Sequence, residues 1–217
     1  MFVGHFGVGF AIKKVAAKPS LGTLFLATQF IDLIWPLLLL LGLERVRIDP
    51  GNTVVTPLDF VYYPISHSLV TVLIWGLVVG GIYYFFKRDK QGAVWLGILV
   101  LSHWLLDFFT HRPDLPLWPS GDSILVGLGL WNSLIGTLLL EFGILAGGVY
   151  LYLKVTRARD KTGNYSLWGL VVFLVLIHIM NIFGPPPPAE GPIAYAGFSM
   201  WLLIAWGYWI DRHREVK

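Results

Sequence analysis

Cysteine is absent from the 217-residue chain. That excludes disulfides and thiolate metal sites, so any bound metal must take its ligands from histidine and carboxylate side chains. Charge is also scarce. Asp, Glu, Lys and Arg together make up only 13% of the residues, too few to cover a water-facing surface. No polar stretch is long enough for a second domain. No basic region precedes the first apolar stretch, "MFVGHFGVGFAI", as a secretory signal would require. The formal net charge of +3 has a membrane explanation, given below, so no nucleic-acid partner is expected.

What the chain has in abundance is hydrophobic sequence: 56% of its residues, with ten tryptophans. The apolar residues fall in long runs separated by short charged loops. That pattern predicts an all-α fold, a polytopic transmembrane helix bundle with six or seven spans, forming one integral membrane domain over residues 1–217. Six spans are expected at about Leu21–Leu43, His67–Phe86, Ala93–Thr110, Leu130–Leu153, Leu167–Phe183 and Ile193–Ile210. The seventh, Phe2–Ile12, is short. It crosses only if its helix continues to about Ala17, with its lysines snorkelling. Aromatic belts at the two interfaces account for most Trp and Tyr residues.

The basic residues divide by loop. Arg45, Arg47 and Arg112 fall on one side of the predicted topology. The other thirteen of the sixteen Lys and Arg fall on the opposite side. By the positive-inside rule that second side is cytoplasmic, the C-terminus included. The longer outer loops, Glu44–Ser66 and His111–Gly129, are where substrate access is expected.

Several ionisable residues interrupt the apolar spans. Asp32, His67, His103, Asp107, Glu141 and His178 all fall between the bilayer midplane and its outer surface, and His5 joins them if its segment has its N-terminus outside. A carboxylate at the membrane centre costs about 2.5–3.5 kcal/mol on insertion scales. No Lys or Arg within the six spans is available to pair with Asp32, Asp107 or Glu141. Imidazoles at the same depth favour a bound cation, and this donor set suits zinc, with iron or manganese as alternatives. The i, i+4 spacing in "LSHWLLDFFTH" puts His103 and Asp107 on one helix face. His178 reads as a core histidine beside Asn181, His111 as an interfacial loop residue, and His213 as solvated.

Four stretches in order, "GHFGVGFA", "QFIDLIWP", "ISHSLV" and "LSHWLLDFFTHRPDLPLWP", resemble the predicted membrane-bound metal-dependent hydrolase family of prokaryotic inner-membrane proteins. That family shows an early Gly-His, a "PDxD" element, "HRGxTHS" and "SHxxxDxxTxxGxxxxWP", and the order matches over residues 1–119. The family is itself similar to zinc-dependent phospholipase C, whose helical core binds zinc partly through a His-x-x-x-Asp pair. The resemblance implies His5, Asp32, His67, His103 and Asp107 as metal ligands. Here "PDxD" is reduced to "IDLI" and "HRG" is replaced by "YYP". Those departures fit a single ion, or a second site completed by Glu141 or His111.

The function expected from these features is metal-dependent hydrolysis of a lipid-like phosphoester or ester near the outer leaflet. Glu141, or an Asp that is not a ligand, would be the general base. Arg112 would hold a phosphate. Membrane lipids are the expected partners. Two alternatives stand beside it. A proton- or cation-coupled transporter would need broken helices at the site, and Trp35-Pro36 offers one kink. A non-catalytic membrane protein would keep a degenerate metal site.

Overall fold

The computed structural model describes all of residues 1–217. The chain opens with a short helix, α1 (Val3–Ile12), followed by the pair α2 (Leu21–Thr28) and α3 (Phe30–Leu40). A hairpin of β1 (Arg45–Ile48) and β2 (Leu58–Tyr62) follows. The single turn α4 (Pro64–His67) leads into the long helices α5 (Leu69–Lys87) and α6 (Lys90–Thr110). A second small ribbon, β3 (Leu115–Pro116) with β4 (Leu125–Val126), precedes α7 (Leu134–Val155). Then come β5 (Thr156–Ala158), α8 (Lys161–Phe183), α9 (Glu190–Phe198), α10 (Met200–Arg212) and β6 (Arg214–Val216).

The fold is all-α, as the hydropathy predicts, and the strands are confined to two-stranded ribbons. Five stretches are long and apolar enough to cross a membrane: α5, α6, α7, α8 and α9 with α10. The pair α2 and α3 forms a sixth, bent by 55° at Gln29. The bend falls there rather than at Pro36, which is accommodated inside α3. Large side chains such as Leu77, Phe86 and Ile135 are exposed on the outside of the bundle, where lipid would cover them. Helix α8 starts six residues before the expected Leu167. Its polar first turn carries no hydropathy signal, but the Asp160 side chain accepts from the Gly163 amide at 2.9 Å and caps it.

The first segment departs from expectation. Its helix stops at Ile12 instead of continuing to Ala17. Ten residues rise about 15 Å, half the hydrocarbon thickness. Lys13 does not snorkel outward. It is buried, with its ammonium donating to the Pro19 carbonyl at 2.7 Å and lying 3.4 Å from Asp211. Thus α1 is a half-length helix enclosed by the bundle, with Val3, Phe6 and Phe10 fully buried. It packs closely on α7 because both surfaces are glycine at the crossing. A Cβ at Gly7 would lie 2.6 Å from the Ile144 carbonyl oxygen, and one at Gly148 would strike the Gly7 backbone.

Two apolar clusters form the core. One joins α1, α2, α7, α8 and α10 through residues such as Phe6, Phe25, Tyr152 and Leu170. The other joins α2, α3, α5 and α6 through Leu24, Ile31, Val72 and Leu99. The basic loops gather at one end. Strands β5 and β6 pair antiparallel there, and Arg157 and Arg159 both reach Glu215. The β1–β2 hairpin caps the opposite end.

A candidate metal centre

His103 and Asp107 lie one turn apart on α6, both buried, with His103 Nε2 3.1 Å from Asp107 Oδ2. Helix α1 brings His5, whose Nε2 is 3.1 Å from Asp107 Oδ1. Its ring stacks on that of His103, with centroids 3.5 Å apart. The turn α4 brings His67, with Nε2 3.3 Å from Asp32 Oδ1 and 4.0 Å from Asp107 Oδ2. Asp32 Oδ2 is in turn 3.5 Å from His103 Nε2. The five residues form two overlapping groups, His5–His103–Asp107 and Asp32–His67–His103, each with its ligand atoms within 4.8 Å of one another. The Met1 amino group also donates to Asp107 Oδ1, at 2.6 Å.

His103 and His67 are held by their other ring nitrogens, whereas His5 Nδ1 is buried without a hydrogen-bond partner. His103 Nδ1 lies 2.6 Å from the carbonyl of Thr28, the last residue of α2. A carbonyl can only accept, so Nδ1 carries the proton and Nε2 presents a lone pair to the cluster. The α2–α3 break supplies this arrangement, because the carbonyls of a final helical turn lack intrahelical partners. His67 Nδ1 lies 2.6 Å from Ser66 Oγ, and Ser66 Oγ donates to Glu44 Oε2 at 2.7 Å. Glu44 Oε1 accepts from the Ile65 and Ser66 amides, both at 2.8 Å. Burial pushes the Glu44 carboxyl above its ordinary range. This chain fixes the His67 ring as an outer-shell carboxylate does for a metal-bound histidine. Neither Glu44 nor the Thr28 carbonyl carries a sequence signal; "ISH" offers only a serine beside a histidine.

The donor set fits a divalent cation. Three imidazoles and two carboxylates converge, and His103 Nε2 is buried without a hydrogen-bond partner. The cluster forms part of the wall of a mostly apolar cavity of about 610 Å³, reached by Asp32, His67 and Asp107. His111 reaches it too. His111 follows the last residue of α6, as expected of a loop residue, but it is buried, and its Nδ1 lies 2.9 Å from Asp114 Oδ1. Tyr63 donates to the same oxygen at 2.9 Å.

Two residues expected to act chemically lie elsewhere. Glu141 on α7 accepts from the Phe2 and Gly4 amides, at 2.9 and 3.2 Å, and so caps the first turn of α1. Its nearest imidazole, His178, is 3.9 Å away. It does not reach the cavity, and it completes neither ligand group. His178 faces Glu141 and the Phe2 ring rather than Asn181. Arg112 is committed to Asp59, Asn52 and Asp114, which ties the β1–β2 hairpin to the loop after α6. These contacts use three of the five N–H donors of the guanidinium, and two of the partners are carboxylates that offset its charge.

No curated protein and no solved structure matches the chain. The sequence profile of the YdjM inner membrane protein family matches residues 1–186, a region that holds the whole His/Asp cluster and every span except α9–α10; the chain belongs to that family and is an integral protein of the prokaryotic inner membrane.

Proposed function

We propose that this protein is a metal-dependent hydrolase of a lipid-like phosphoester or ester, with its site in the outer half of the membrane and its C-terminus in the cytoplasm. The observation that carries the reading is the convergence of His5, Asp32, His67, His103 and Asp107 beside an apolar cavity. The thirteen basic residues at the opposite end support the orientation. His5, His67 and His103 would hold the ion through ring nitrogens, with Asp32 and Asp107 supplying carboxylate oxygens. Zinc, iron or manganese suits these donors. Such an ion supplies an activated water and polarises a phosphoryl or acyl oxygen. Asp32 is the carboxylate that faces the cavity, its side chain 23% exposed against 2% for Asp107. Thr28 and the Ser66–Glu44 pair keep the imidazoles aimed inward.

Elemental analysis of the detergent-purified protein tests this. Stoichiometric metal is expected in the wild type and its loss in His103→Ala; a metal-free wild type overturns the reading. Release of water-soluble head groups from phospholipids and isoprenoid phosphates then identifies turnover. The break beside the cluster is also what a cation-coupled transporter requires. Cation flux in liposomes without any hydrolysis would favour that alternative.

A further inference from the structure

The cavity extends well beyond the His/Asp cluster. Its far wall is built from Phe173 and Ile177 of α8 and from Leu202, Leu203 and Trp206 of α10. These carry no charge. Phe173 and Leu202 line the cavity and are also 40% and 70% exposed, so these side chains stand where the cavity opens to the outside of the bundle. Depth decides what lies outside. Phe173 is about 18 Å along its helix from Lys161, and Leu202 about 15 Å from Arg212, at 1.5 Å per residue. Both positions lie near the middle of a hydrocarbon layer about 30 Å thick. The opening therefore meets lipid tails rather than water or head groups.

We propose that the cavity takes one hydrocarbon chain of a membrane lipid, entering sideways between α8 and α10, with the lipid's polar head turned toward Asp32 and His67. The cavity's volume falls within the roughly 300–1,000 Å³ typical of a pocket for one small ligand. It accommodates one chain, and a second chain would stay in the bilayer. A small water-soluble ester would reach the same cluster but leave the α8 and α10 walls uncovered. The direction of the head group rests on the hydrolase reading; occupation of the chamber by a chain does not.

Photo-crosslinking in the native membrane tests the proposal with the full chain. Phe173→p-benzoylphenylalanine places the probe in the chamber wall. Leu77→p-benzoylphenylalanine, on the 78% exposed lipid face of α5, samples the bulk bilayer. Mass spectrometry of the adducts is expected to show one lipid class enriched about tenfold at position 173 over position 77, a ratio equal to about 1.4 kcal/mol of preference. Ala196→Trp, which pushes an indole into the cavity from an exposed position on α9, is expected to abolish that enrichment. The same lipid mixture at both positions, or enrichment unmoved by Ala196→Trp, overturns the proposal. Enrichment is expected to survive Asp107→Ala. Loss of metal and turnover thus speaks to the hydrolase reading, and uniform adducts speak to the chamber.

Discussion

Asp107 and Glu141 are two carboxylates buried in the same membrane bundle, each 1% exposed, and they are held in different ways. Asp107 is ringed by imidazoles, with His5 and His103 at 3.1 Å and His67 at 4.0 Å, and it also accepts from the Met1 amino group at 2.6 Å. Glu141 is ringed by backbone amides at the start of α1. An anion at a helix N-terminus is stabilised by unpaired N–H groups and by the helix dipole, with no ion required. Burial alone therefore does not mark a metal ligand in a membrane. The partners are what differ between the two acids: imidazoles and an amino group at one, backbone amides at the other.

That contrast is broken most sharply by truncation. Asp107→Ala is expected to remove bound metal altogether and to reduce any hydrolysis to background, as read by elemental analysis and head-group release. The outer shell should matter less. Ser66→Ala or Glu44→Gln frees the His67 ring, and metal affinity measured by competition with a chelator should weaken about 10–100-fold, the usual cost of losing such a partner. Glu141→Ala should cost stability instead. Two buried amides lose their acceptor, and thermal denaturation is expected to report a loss of about 1–2 kcal/mol with metal per folded chain unchanged. If Glu141→Ala empties the site as fully as Asp107→Ala does, the two acids were not doing different jobs.

The smallest effect lies at the basic end. A hydrogen bond from His213 holds Asp160 below its ordinary value of 3.8, and one from Arg157 holds Glu215 below 4.5. An acid depressed by folding contributes stability above its unfolded value and loses it as pH falls through the folded one. Thermal stability should therefore decline as pH drops below about 4.5, by a small amount because both groups lie at the surface and are screened by salt. Raising the ionic strength should flatten that decline while leaving the effect of Asp107→Ala intact.

Much of this was legible in the sequence because the membrane imposes a narrow code. Six long spans follow from hydropathy, and His103 and Asp107 follow from helical spacing. His5, Asp32 and His67 were placed with them by the order of the motifs, and the structure brings all five together. What stayed hidden depends on contacts distant in sequence. Glu44 and Ser66 act through a loop whose path no periodicity records. Arg112 finds its carboxylates in Asp59 and Asp114, which a linear reading leaves in separate loops. Glu141 had the right depth, but the α1 terminus that it caps lies 137 residues earlier. The half-length of α1 was ambiguous for a related reason: Lys13 buries its ammonium against Pro19 and Asp211 instead of reaching for the surface.

The close fit of Gly7 against Gly148 has a consequence for how the protein is made. A ten-residue helix carrying a histidine spans half the bilayer and has no stable place in lipid by itself. Its groove on α7 does not exist until α7 has been synthesised. At about 5–20 residues per second, the 137 residues separating Gly4 from Glu141 take on the order of ten seconds to emerge. During that interval His5 waits outside its final position, and Asp107 lacks one of its imidazoles. Synthesis of α2 to α7 thus precedes the docking of the first helix, which completes the imidazole set around Asp107.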